Sequence, residues 1–141
     1  MITLNPLPRK IVNALHYLAS SVWIGAYAAV LALIVFSGAA LPFLSAEGAY
    51  EIAYFIKGSV IVPCVPVLMG TAFVYALFTK WGFAKHGWII VKWVLSVCMI
   101  ASSALIPLGA VNAAVVLLFS VALIMVSAIK PRCAWLKTAK G

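Results

Sequence analysis

Four apolar runs, each long enough to cross a bilayer, decide what this chain can fold into. They cover Ile11–Phe36, Tyr50–Phe78, Trp88–Leu108 and Ala113–Ile129. A spanning helix needs about 20 mainly apolar residues. Hydrocarbon offers no hydrogen-bond partners, so each run must satisfy its own backbone, and a helix does so within one segment. Hydrophobic residues are 67% of the 141 and charged residues 9%, too few charges to clothe a soluble domain. The expected fold is an all-α membrane protein: a single integral membrane domain over residues 1–141, built as a four-transmembrane-helix bundle. The first run, at 26 residues, exceeds the roughly 7–15 of a secretory signal's apolar region, and reads as a first span rather than a leader.

Charge sets the orientation. Arg9, Lys10, Lys80, Lys85, Lys130, Arg132, Lys137 and Lys140 flank the spans on one side, and the loops of the other side hold no Lys or Arg. Excess Lys and Arg stay cytoplasmic. Both termini and the Thr79–Gly87 loop are therefore expected in the cytoplasm, with the chain multi-pass in a bacterial cytoplasmic (inner) membrane and the lipid bilayer as its first partner. This topology accounts for the net charge of +8, and no basic patch interleaves with aromatics on a soluble face, so no nucleic-acid partner is expected. In the stretch Thr79–Trp93, TKWGFAKHGWIIVKW, basic residues run directly into the third span. Trp81, Trp88 and Trp135 suit the aromatic belt of the cytoplasmic interface. The second run is longer than a bilayer core requires. Pro63 and Pro66 are expected to kink it, because each lacks an N–H and crowds the preceding turn.

Polar residues within spans are costly and mark functional positions by default. Asn13, His16, Ser20, Trp23 and Tyr27 follow one another at helical spacing, so they share one face of the first span, which should turn inward. Trp88, Lys92, Ser96, Met99 and Ser103 do the same on the third. His16 lies ~7 Å and Lys92 ~6 Å past the start of its helix. Both helices run outward, so the two residues sit at one depth and are candidates for one site. Each also has an ordinary reading. Lys92 can snorkel to the headgroups, and His16 can be a neutral imidazole bonded within a helix interface. Against the latter, imidazole is a common haem and metal ligand.

His86, beside Gly87, is a fallback ligand or an interfacial residue. Lys57 either snorkels outward, pairs with Glu51 or binds an anion near the outer face. Cys64, Met69, Cys98 and Met99 offer soft ligands for Cu(I) or ordinary packing. With no CxxC pair, the three cysteines do not read as a disulfide framework. With two Glu and no Asp, paired-carboxylate catalysis has no material.

The stretch HYLASSVWIG resembles the first helix of small bacterial membrane proteins of the HemJ and CopD type, which carry a His, a Trp seven residues on, and then a small residue; His16, Trp23 and Gly25 match. WIIVKW is similar to the HemJ pattern of a Trp four residues before a helix-borne Lys, matched by Trp88 and Lys92. YALFTKWGFAKHGWIIVKW also resembles an uncharacterised family of four-helix bacterial membrane proteins. HemJ proteins are haem-binding protoporphyrinogen oxidases, and CopD proteins are linked to copper uptake. The resemblance therefore implies a haem b or porphyrin site near His16 and Lys92. The chain departs from HemJ late in the first span, where YAAVLALIVF lacks that family's basic residue and second His.

The expectation that follows is a haem b-binding membrane protein of redox type. His16 is the candidate axial ligand to the haem iron. Lys92 is a second ligand, a propionate partner or a substrate contact, and Trp23 and His86 belong to the same candidate cofactor site. Two alternatives stand beside it. One is an accessory module that packs against a larger membrane complex or forms a homo-oligomer through small residues such as Gly58, Gly70 or Ala113–Ala114. The other is a carrier of copper or another small solute.

Overall fold

The structure, a computed structural model, describes residues 6–37, 43–78 and 87–129. The architecture is all-helical, and four helical stretches are long and apolar enough to cross a membrane. The chain is a multi-pass bundle.

The first span is α1 (Pro6–Phe36), which begins ahead of the expected Ile11 and takes in Arg9 and Lys10. Pro6 and Pro8 do not prevent this. The first N–H groups of a helix have no acceptor within it, so a proline there forfeits nothing and supplies a preset φ. The second span, Ala46–Phe78, has three pieces: α2 (Ala46–Ile56), a π-helical segment (Lys57–Ile61) and α3 (Val62–Phe78). It starts before the expected Tyr50 because Ser45 caps it, its hydroxyl accepting the Gly48 N–H at 3.1 Å. Glu47 stands in that first turn, where the helix dipole favours an acid.

The disturbance expected from Pro63 and Pro66 takes the form of a π turn. The Val62 N–H donates to the carbonyl of Lys57, five residues back. Pro63 cannot donate to the carbonyl four residues before it, and its ring crowds that group. Widening the turn by one residue relieves the crowding. The added residue also rotates what precedes it by roughly 100° relative to an uninterrupted helix.

The third span, α4 (Gly87–Leu105), stops short of the expected Leu108, since Pro107 disfavours helical backbone at Ile106. The fourth, α5 (Ala110–Ile129), begins before the expected Ala113, and the Ala113 N–H donates to the Gly109 carbonyl.

The first span lies along both halves of the second and along the fourth, and the third lies along the fourth. Lipid tails are as apolar as leucine, so close packing rather than escape from water holds such helices together. Fully buried Ala49, Ala53 and Ala113 permit that approach. Ala113 therefore belongs to the interior and not to the outward small-residue face expected of it.

Candidate functional site

The third span's extensive backbone approach is to the fourth alone, and it stands off from the first and from α3. The space so left is a cavity of about 1160 Å³. Its lining includes Arg9, Asn13, Tyr75, Trp88 and Ser127, which come from the starts of α1 and α4 and the ends of α3 and α5, so it reaches the end of the bundle where those termini gather. Trp23, Met99 and Ser120 form its deep part. The two expected polar faces do meet. Asn13, His16, Ser20 and Trp23 line one wall, and Trp88, Lys92, Ser96 and Met99 another. Below the cavity the faces join directly, where the Tyr27 and Ser103 hydroxyls are hydrogen-bonded at 2.5 Å.

His16 is half-buried at this wall, and its Nδ1 lies 2.7 Å from Thr71 Oγ1. The Thr71 hydroxyl also lies within hydrogen-bond reach of the Val67 and Leu68 carbonyls of its own helix, at 2.8 and 3.0 Å. In the tautomer with the proton on Nδ1, the ring donates to Oγ1 while the Thr71 hydroxyl serves its own helix. Nε2 is then left with its lone pair. A histidine held by an Nδ1–H bond, with Nε2 available, is the usual arrangement of a metal-binding imidazole.

Lys92 lines the same cavity, and its Nζ stands 5.9 Å from the centre of the Trp88 ring, a cation–π distance. Arg9 and Lys10 stand at the rim, and the Arg9 carbonyl accepts from the Tyr75 hydroxyl at 3.3 Å, tying the first span to the second. No Asp or Glu lines the cavity. Glu51 is 24 residues from Tyr75 along the second span, roughly 36 Å of helix away. The site is thus a set of cations above apolar walls.

Trp23 packs its ring on Tyr27, with centroids 5.1 Å apart. Its Nε1–H is buried without an acceptor. An unpaired buried donor costs roughly 1–3 kcal/mol. Trp23→Phe keeps the ring contact and removes the orphan. It is expected to unfold in mixed micelles within about 1 kcal/mol of wild type, well short of the roughly 3–5 typical of truncating a buried aromatic. A loss of that larger size would mean the indole N–H has a partner in the membrane.

A second polar group gathers at the end of α4, outside the cavity lining. Lys57 Nζ donates to the Ser103 carbonyl at 2.9 Å. That carbonyl has no helical donor, because residue 107 is proline. The Asn112 amide donates to the carbonyls of Ser102 and Ile106, at 2.9 and 3.1 Å, and so caps the end of α4. Lys57 therefore neither snorkels freely nor pairs with Glu51. It replaces a missing N–H. Among the described residues, Thr71 and Asn112 are hydrogen-bonding positions that sequence reasoning passed over. The signals were present: a lone Thr inside an apolar run, and an Asn just past Pro107 and Gly109.

His86, Trp81, Trp135 and Cys133 lie outside the described residues. The soft-sulfur set divides, since Met69 and Met99 line the cavity while Cys98 is exposed on the outer face of the bundle. Met99 Sδ lies 3.5 Å from the Ser120 hydroxyl, which is also 2.8 Å from the Val116 carbonyl. No three His, Cys, Asp or Glu gather among the described residues. One imidazole suits a metal that brings most of its own ligands, as haem iron does. No family model, curated protein or solved structure matches the chain.

Proposed function

We propose that this is a haem b-binding membrane protein of redox type, with His16 as axial ligand through Nε2. The observation that carries the reading is the hydrogen bond between His16 Nδ1 and Thr71 Oγ1 at the wall of a large, cation-rimmed cavity. The residues present fit the group. His16 supplies one oriented imidazole, Arg9, Lys10 and Lys92 supply positive charge for two propionates, and Trp23, Leu68 and Leu123 supply apolar wall. Haem, when bound, supplies one-electron chemistry. The chain's share is to orient the imidazole, hold the acids at the rim and keep the deep part dry. Lys92 is assigned to the propionates, because its ammonium already sits over Trp88 among other cations.

The test is a reduced-minus-oxidised spectrum of the detergent-purified protein after expression with ample haem. Absence of a Soret band would sink the proposal. The Thr71 bond has its own test. Thr71→Val keeps the β-branched shape but removes the acceptor, and haem affinity is expected to fall roughly 10–100-fold. Thr71→Ser should retain most of it.

The same reading places both termini and the Thr79–Gly87 loop in the cytoplasm of a bacterial inner membrane, on the strength of the Lys and Arg distribution. A reporter that is active only in the cytoplasm, fused after Gly141, should be active. One observation favours an accessory or homo-oligomeric module as the second reading. Gly58 and Gly70 are exposed, and a Cβ added at either would meet nothing within 4 Å. Gly58→Leu and Gly70→Leu would then break an assembly without unfolding the chain. A copper carrier fits less well, because the cavity's cations repel a free metal ion.

A further inference from the structure

Beside the cavity the backbones of α3 and α4 stand apart, and the rings of Phe73 and Trp93 make contact between them, tilted with centroids 5.3 Å apart. Phe73 is exposed, and Trp93 lines the cavity. The positive-inside rule explains Arg9 and Lys10 at a helix start. It does not explain Lys92, which is half-buried inside the span and lines the cavity, with no carboxylate lining it as a partner.

We propose that the rim formed by Arg9, Lys10 and Lys92 is an acid-binding subsite for an amphipathic anion resident in the membrane. Its acid group lies among the three cations, and its apolar body lies against Ile24, Leu68 and Leu123. Basic pockets between spans bind anionic headgroups in this way. In the haem reading the acids are the two propionates. An anionic phospholipid offers the same chemistry through its phosphate, so the subsite does not depend on haem.

Two measurements on the full chain separate the sources. Native mass spectrometry after purification from phosphatidylglycerol-containing micelles reads lipid retention. Spectral titration with haemin in phosphatidylcholine nanodiscs reads haem. Lys92→Met is expected to weaken whichever ligand binds by roughly ten- to hundredfold, the value of a charge-assisted bond. Lys140→Gln removes an equal charge from the tail and should leave binding unchanged. Both ligands weakened by Lys92→Met supports the subsite and the haem reading together. Phosphatidylglycerol retained through Lys92, with no haem bound, upholds the subsite and ends the haem reading. Haem binding unaltered by both Lys92→Met and Arg9→Gln, with no lipid retained, overturns the subsite and leaves the haem reading standing. Retention of neither ligand overturns both.

Discussion

His16→Ala is expected to yield a folded protein without haem. The expected spectroscopic effect is complete, because among the described residues lining the cavity no other imidazole is present to take the iron. The structural effect should be small. Among the described residues the His16 side chain has one hydrogen bond, to Thr71, and interhelical bonds of this kind average about 0.6 kcal/mol in membrane proteins. Thr71 keeps its own bonds to Val67 and Leu68, so the substitution strands no buried hydroxyl. Alanine is also the residue best suited to a helix interior. The Soret absorbance of the purified variant reads the first effect and its thermal midpoint the second. Haem at wild-type stoichiometry in His16→Ala would remove His16 from the site. Recovery of a haem spectrum on adding free imidazole would show that the lost ligand, rather than a disturbed pocket, was responsible.

Lys57→Met is expected to destabilise the bundle by roughly 1–3 kcal/mol, the cost of leaving a buried carbonyl unpaired. The sign decides between two roles. A lysine that only snorkels would be replaced at a gain, since methionine fits the apolar span and no ammonium must be kept near water. A lysine that stands in for the missing N–H of residue 107 must be replaced at a loss. Pro107→Ala sharpens the test, because it restores a backbone N–H four residues after Ser103. In that background Lys57→Met should cost clearly less. Equal costs in the two backgrounds, measured by unfolding in mixed micelles, would show that the two positions are not coupled.

The helices themselves were legible because hydrocarbon leaves a long apolar run almost no alternative. Their ends were less so. Ser45, Pro6 with Pro8, and Gly109 each moved a boundary through local backbone chemistry that an apolar count does not register. The inward faces of the first and third spans were also legible, from the spacing of His16 to Trp23 and of Lys92 to Met99. Thr71 was not, because its importance lies in a neighbour 55 residues away. The direction of Lys57 was hidden for a different reason. It depends on a π turn ahead of Pro63, and a proline announces disturbance without specifying its form.

The sequence by itself determined that the chain is a bundle of spanning helices, which end of it is basic, and which faces of two helices are polar. These properties follow from solvent preference and helical period, and both act locally. Only the tertiary structure decided that the two polar faces enclose one cavity, that Thr71 is the hydrogen-bond partner of His16, and that Lys57 serves the carbonyl orphaned by Pro107. Each of those depends on which helix stands beside which, and in a bilayer that is set by close packing and by the pairing of a few polar groups, neither of which leaves a periodic trace in the chain.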